Sequence, residues 1–295
     1  MIPRIRHIDR LELEGLASFD ASIAEYATGR ERAAPPRKPR AGLTSLQISL
    51  LTILVTLAAW WLAAAFALVS PVFLPSPAAV AAKFVSVATT GFVDATLAQH
   101  VMISLGRVFA ALLAAILVGI PVGLAIGLSK VGRGVFDPLL EFLRPLPPLA
   151  YLPLIVIWFG IGEASKVLVI AIAMLAPIAL STASGVRGVS RDRVNAARTL
   201  GASRRQVLAH VVLPNALPSI ITGLRIALGA GWTTLVAAEL IAATRGLGFM
   251  IQSAAQFLVT DVVIMGIIVI AGIAFLLEYG IRRIERALVP WAGRE

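Results

Sequence analysis

The sequence predicts an all-α membrane protein with about six transmembrane helices. Three observations lead there. Of 295 residues, 58% are hydrophobic and only 14% are charged, against roughly 25% charged in soluble domains. Mean hydropathy is +0.89. Several stretches lack any charged side chain, namely 41–82, 108–129, 145–162, 167–186 and 262–277. A spanning helix needs about 20 mostly apolar residues, and lipid offers no partner to an unpaired backbone group, so long helices are the economical structure. The spans are expected at about 43–69, 103–128, 135–159, 167–186, 215–240 and 260–281.

Before the first span, residues 1–42 read as an N-terminal tail. They are mixed in charge, with room for a short helix and then the extended basic stretch "APPRKPR". No apolar core of a cleavable signal occurs in this tail. Residues 43–295 read as the transmembrane domain. Trp60 and Trp61 lie toward the outer end of the first span, where indoles favour the interface. Ser76-Pro77 predicts a helix start, and the next dozen residues read as an external helix lying near the membrane surface. In the second span Gly119, Gly123 and Gly127 recur every four residues and form one flat face for close helix packing. Pro121 in the same span predicts a kink.

Charge distribution accounts for the net charge of +10. Of the 26 lysines and arginines, 20 fall in the segments on one side of the proposed spans. Three (Lys83, Lys166 and Arg245) fall on the other side, and Arg107, Arg144 and Arg225 fall within spans. The positive-inside rule then places both termini in the cytoplasm, and the basic excess calls for no nucleic acid. Asp137, Glu141 and Arg144 recur at helical spacing and can pair along one face. Arg225 and Glu239 are about 21 Å apart along a helix, so each needs another partner. For Glu239 two readings stay open, a structural ion pair and a pathway lining. The fifth span also carries "GAGWTTLVAAEL". Gly229 and Gly231 there permit close backbone contact, and Trp232, Thr233 and Thr234 put polar groups at lipid depth. These residues read either as packing, with hydroxyls bonded to the preceding turn, or with Glu239 as walls of a translocation pathway.

Motifs for covalent chemistry are missing. There is no cysteine. "GLSKVGRG" has Arg133-Gly134 where a phosphate loop needs Lys-Ser/Thr. His7, His100 and His210 are scattered. The chain is therefore not expected to be an enzyme, nor to bind a metal or cofactor.

One segment exceeds the needs of a connector. In "NAARTLGASRRQVLAHVVLP", residues 195–214, the spacing Asn195-Ala196-Ala197, Gly201, Val211, Leu213-Pro214 resembles the E-A-A-x3-G-x9-I-x-L-P signature of ABC-importer permeases. Asn195 stands for the usual Glu and Val211 for Ile. The resemblance implies a type I ABC-importer permease fold and makes residues 190–214 the cytoplasmic coupling helix. Ala196 and Ala197 would keep its surface thin, Gly201 would allow a bend, and Leu213-Pro214 would end it. Arg198, Arg204 and Arg205 would meet lipid heads or the ATPase. "SPVFLPSP", "GFVDATLAQH", "RPLPPLAYLPLIVIWFGIGE" and "TLVAAELIAATRGLGFMIQSAAQFLVTDVV" are similar to the branch handling taurine, alkanesulfonates, nitrate and bicarbonate. That resemblance implies a bacterial inner-membrane homodimer, two copies of a separate cytoplasmic ABC ATPase that holds ATP and Mg, and a periplasmic binding protein. Its cargo would be a small sulfonate, taurine first. An ion-coupled secondary transporter is the alternative of another class, but such transporters often show internal repeats, this sequence shows no convincing one, and 195–214 would have no task.

Overall fold

Three tightly apposed helices organise the protein. The computed structural model describes residues 44–290, so the expected tail at 1–42 and its short helix lie outside the described residues. The chain divides into two compact units, Met1–Ala58 and Ala59–Glu295. In the first, the described residues belong to the start of α1 (Ser45–Ala65), whose apolar side chains from Leu46 to Leu57 are exposed. That is the surface expected of a helix whose solvent is lipid.

The second unit continues with α2 (Pro77–Thr89), α3 (Leu97–Leu128), α4 (Lys130–Leu143), α5 (Pro148–Phe159) and α6 (Glu163–Arg187). Then come the short α7 (Arg191–Thr199) and α8 (Arg204–Val207), a π-helical turn at Leu208–Val212, α9 (Leu213–Ala242), α10 (Leu247–Gln256) and α11 (Thr260–Leu288). Five of these helices are long and apolar enough to span a membrane, or six if the bent pair α4–α5 counts as one span. The first, second, fourth, fifth and sixth expected spans correspond to α1, α3, α6, α9 and α11.

Helix α6 is the centre, packed against α3 on one side and α9 on the other. Small residues make both contacts possible. A Cβ on Gly119 would lie 2.9 Å from the Ile178 side chain, one on Gly123 would meet the Ala179 carbonyl and Thr182, and one on Gly127 would lie 2.7 Å from Val186. The glycine stripe of the second span is therefore its seam with α6. On the far side, Gly185 faces Ser219 and Ala216, and Gly223 faces Ser181 and the Pro177 carbonyl. Lipid gives helices no hydrophobic reason to associate, so close backbone approach and dispersion must hold them. Val108, Met174, Ile178, Leu235 and Met250 fill the core between α3, α6, α9 and α10.

Local signals place the outer elements. Ser76 caps α2 by accepting from the Ala79 N–H at 3.2 Å, with Pro77 in the first turn. Trp60 donates Nε1–H to the Pro75 carbonyl at 3.0 Å, which ties the end of α1 to the chain entering α2. Lys83 and Asp261 pair at 3.5 Å between α2 and α11. Arg225 finds Glu278 at 3.9 Å and Glu285 at 3.6 Å, both on α11.

Five expectations need correction. The third span is not one helix, because α4 and α5 meet at 104°; Pro145, Pro147 and Pro148 withhold N–H groups at the break. Asp137, Glu141 and Arg144 form no ion pair with one another among the described residues, and Asp137 Oδ1 is buried without a hydrogen bond. Arg144 sits at the C-cap, where α4 gives way to the break. Leu213-Pro214 ends nothing: helical backbone runs from Arg204 through the π turn to Ile241. The π turn just before Pro214, in which the Leu213 N–H reaches the Leu208 carbonyl, lets the run pass the absent N–H. Gly229 borders open space, and Gly231 abuts the Met174 side chain rather than a backbone. Residues 247–256, expected as connection, form α10.

Candidate functional site

Two places concentrate polar groups, at opposite ends of the helices. The first is the segment from Ser190 to Val212. Ser190 caps α7 by accepting from the Asp192 N–H at 3.2 Å. The helix ends in a Schellman motif: the Gly201 N–H donates to the Arg198 carbonyl at 2.9 Å and the Ala202 N–H to Ala197 at 3.0 Å. Gly201 takes φ +82°, which a side chain would strain. Ser203 and Gln206 then form a reciprocal capping box that opens α8. The bend expected at Gly201 is thus built from hydrogen bonds on both flanks.

Asn195, Ala196, Arg198, Arg204 and Arg205 are exposed, and none of the three arginines forms an ion pair among the described residues. Ala197 is half-buried and packs with Ala202 on the cluster around Val207 and Val212. Leu200 is 88% exposed at the tip of the bend. It borders an open groove of about 390 Å³, shared with Gln206, His210 and Val211. Arg193 on α7 donates to the Asn215 side-chain oxygen, and Asn215 Nδ2 donates to the Val211 carbonyl at 2.6 Å. Val211, Leu213 and Pro214 are half-buried where the π turn joins α9.

The second place is a buried ionic network joining α3, α6, α9 and the chain entering α10. Glu239 is 0% exposed and Arg107 is 4% exposed. Arg107 Nη1 donates to Glu239 Oε1 at 2.6 Å and to the Arg245 carbonyl at 2.8 Å. Its Nε and Nη2 grip both oxygens of Glu163 at 2.6 and 2.7 Å. Lys166 adds a third donor to Glu163 at 2.7 Å. Glu239 also accepts from the Ser104 hydroxyl at 2.7 Å and the Gly248 N–H at 2.8 Å. Ser104 in turn accepts from the Leu247 N–H at 2.9 Å. His100 Nδ1 accepts from the Gly246 N–H at 3.1 Å. The ring proton therefore sits on Nε2, which donates to the Phe92 carbonyl at 3.0 Å.

A carboxylate at lipid depth costs about 2.5–3.5 kcal/mol on insertion scales. Here every carboxylate oxygen has a donor, and the planar guanidinium serves both acids at once. Backbone shape makes this possible at Gly246, whose φ is +126°. A Cβ there would sit 2.5 Å from Glu239 Cδ and 2.7 Å from Arg107 Nη1. The structural ion pair considered for Glu239 is present, with Arg107 as the partner.

The other residues weighed for a pathway differ in exposure. Trp232 and Thr234 are buried and Thr233 is exposed. Both threonine hydroxyls donate to the Ala230 carbonyl at 2.8 Å, while Trp232 Nε1 is buried without a partner. Sequence reasoning missed Glu163, Lys166, His100, Ser104 and the Arg245 carbonyl. The available signal was Arg107, a cation inside a span with no acid near it in the chain. Among the described residues no group of His, Asp or Glu is placed to hold a metal ion.

The chain is 58% identical over 258 residues to the taurine transport system permease protein TauC of Escherichia coli (strain K12), covering 87% of this chain and 93% of that protein. It is 41% identical over 234 residues to the putative aliphatic sulfonates transport permease protein SsuC of the same strain, covering 79% and 88%. A solved structure of the MetNI methionine ABC transporter, in inward-facing conformations, superimposes with a TM-score of 0.58 at 21% identity. That match covers 65% of this chain and 95% of the other, and supports the same helical fold. The sequence pattern of binding-protein-dependent transport system inner membrane components matches residues 115–290. With the paired short helices, the spanning core around α6 and this match together, the chain belongs to that family of multi-pass inner-membrane permeases.

Proposed function

We propose that the protein is the permease subunit of an ATP-driven importer for a small sulfonate, taurine first. The 58% identity to a taurine permease along nearly its whole length is the observation that carries this reading. The 41% identity to an aliphatic sulfonate permease makes alkanesulfonates the second candidate cargo. In this reading the permease is a homodimer, two ATPase copies hold ATP and Mg, and a periplasmic binding protein delivers the solute. The chain itself binds no cofactor. Its part is a path: Thr233 meets the solute, while Trp232, Thr234 and Glu239 shape the wall from behind. Both termini and the Ser190–Pro214 segment face the cytoplasm.

The coupling role rests on Asn195, Ala196, Ala197, Arg198, Gly201, Arg204, Arg205, Val211, Leu213 and Pro214, with Leu200 added because it is so exposed. An apolar side chain bare at a bend between unpaired arginines suits docking into a protein groove. Leu200→Asp is expected to leave the permease inserted and folded, while ATPase co-purification and taurine uptake in vesicles fall about tenfold or more, the scale of a lost interface anchor. Normal co-purification with normal uptake removes the segment from the coupling role.

Orientation has its own test. In a chain without native cysteine, a thiol at the exposed Ser190 position is expected to be shielded from an impermeant reagent in intact cells. One at the exposed Thr90 position is expected to react. The reverse pattern places the arginine-rich segment outside and separates it from any ATPase.

A further inference from the structure

An open cavity of about 500 Å³ adjoins the buried network, lined by Arg107, Glu163, Thr244 and Arg245 with Ile103 and Gly106. It is many times the ~30 Å³ share of one liquid water. Charges of the cavity and the adjoining network do not cancel. Arg107, Lys166 and Arg245 stand against Glu163 and Glu239, and the first two cations are held by those acids. The surplus charge is Arg245, whose exposed guanidinium forms no ion pair among the described residues. Its backbone is fixed all the same: its carbonyl accepts from Arg107, and the next N–H donates to His100. Glu163 is committed to Arg107 and Lys166, yet its side chain is 62% exposed. One cavity thus presents a fixed-base cation, an accessible carboxylate and the exposed Thr244 hydroxyl.

We propose that this cavity is a transient docking site for a zwitterionic aminoalkylsulfonate. Arg245 and Thr244 receive the oxyanion and Glu163 receives the ammonium. The inference rests on the sulfonate-import reading and deepens it, because it gives the permease its own selection for solutes that carry both charges. A carboxylate already shared between two cations holds a third only weakly, and weak holding suits a solute that must move on. A membrane phospholipid with an ethanolamine head carries the same ammonium-and-oxyanion pair, so the test separates dissolved solute from lipid.

Gly106→Cys, at a lining position where an added Cβ meets nothing within 4 Å, places a single thiol at the cavity in a chain that has no other. The purified full-length permease is labelled with 2-sulfonatoethyl and 2-(trimethylammonium)ethyl methanethiosulfonate, each rate normalised to that of free glutathione. The sulfonate reagent is expected to be favoured by about tenfold, the scale of one nearby charge. Arg245→Gln is expected to abolish that preference and Arg245→Lys to retain it. Taurine in amine-lipid-free detergent is expected to slow labelling, and ethanesulfonate to slow it less. A preference unchanged in Arg245→Gln overturns the site. Equal protection by ethanesulfonate makes it a plain anion site, and protection only in phosphatidylethanolamine nanodiscs makes it a lipid site; either overturns the proposal. Reconstituted transporter that moves no taurine but keeps Arg245-dependent labelling fails the import reading instead. Taurine uptake without such labelling fails this one.

Discussion

Arg107→Met is expected to destabilise the permease by about 3–5 kcal/mol, because removing one partner of a buried pair leaves the other charge uncompensated. The stranded group is Glu239, 0% exposed and otherwise held by one hydroxyl and one backbone N–H. Glu163 suffers less, since it keeps Lys166 and is open to solvent. Thermal unfolding of the detergent-solubilised protein measures the loss. The double variant Arg107→Met/Glu239→Met is expected to recover part of it, since neither charge is then left alone in the interior. A single variant as stable as the parent shows that the carboxylates are not held by Arg107.

Gly123→Leu is expected to reach or exceed the upper end of the ~1–3 kcal/mol typical of an overfilled core. At this position the added Cβ meets the Ala179 carbonyl and lies 2.5 Å from the Thr182 Cβ. The obstacle includes backbone of the central helix, which cannot rotate away as a side-chain end does. Gly272→Leu on α11 is the control, with nothing within 4 Å of its Cβ position, and it is expected to be tolerated. The fraction of folded, monodisperse protein after mild heating compares the two. Equal survival shows that α3 and α6 can separate without cost.

The spans were legible because lipid punishes charge: stretches free of Asp, Glu, Lys and Arg fall on α1, α3, α6 and α11, and α9 carries only Arg225 and Glu239. The glycine stripe was legible because four-residue spacing returns to one helix face. The broken third span was not, since proline is uncharged and hides inside an apolar run. Helix α10 escaped because its ten residues are too few for a span. The turn at Gly201 was legible from its residue types, while the proposed coupling role rests on the E-A-A-like spacing. The ionic network was half legible. Arg107 and Glu239 each announced a need for a partner, but they lie 132 residues apart, and only knowledge of which helices touch could join them. The Gly246 backbone gave no sign, because its demand for glycine comes from two side chains that approach it in space.

The π turn at Leu208–Val212 has a mechanical consequence. Because it does not interrupt the helical backbone, the 38 residues from Arg204 to Ile241 form one continuous lever about 57 Å long. A lever pivoting at its middle by about 10° carries each end some 5 Å in opposite directions. Its foot is tied to α7 through Asn215 and Arg193, and near its head sits Glu239, gripped by Arg107. In the proposed coupling role, a shift of a few ångströms at the Arg204 end is expected to reach the far end as a pull on the ionic clasp.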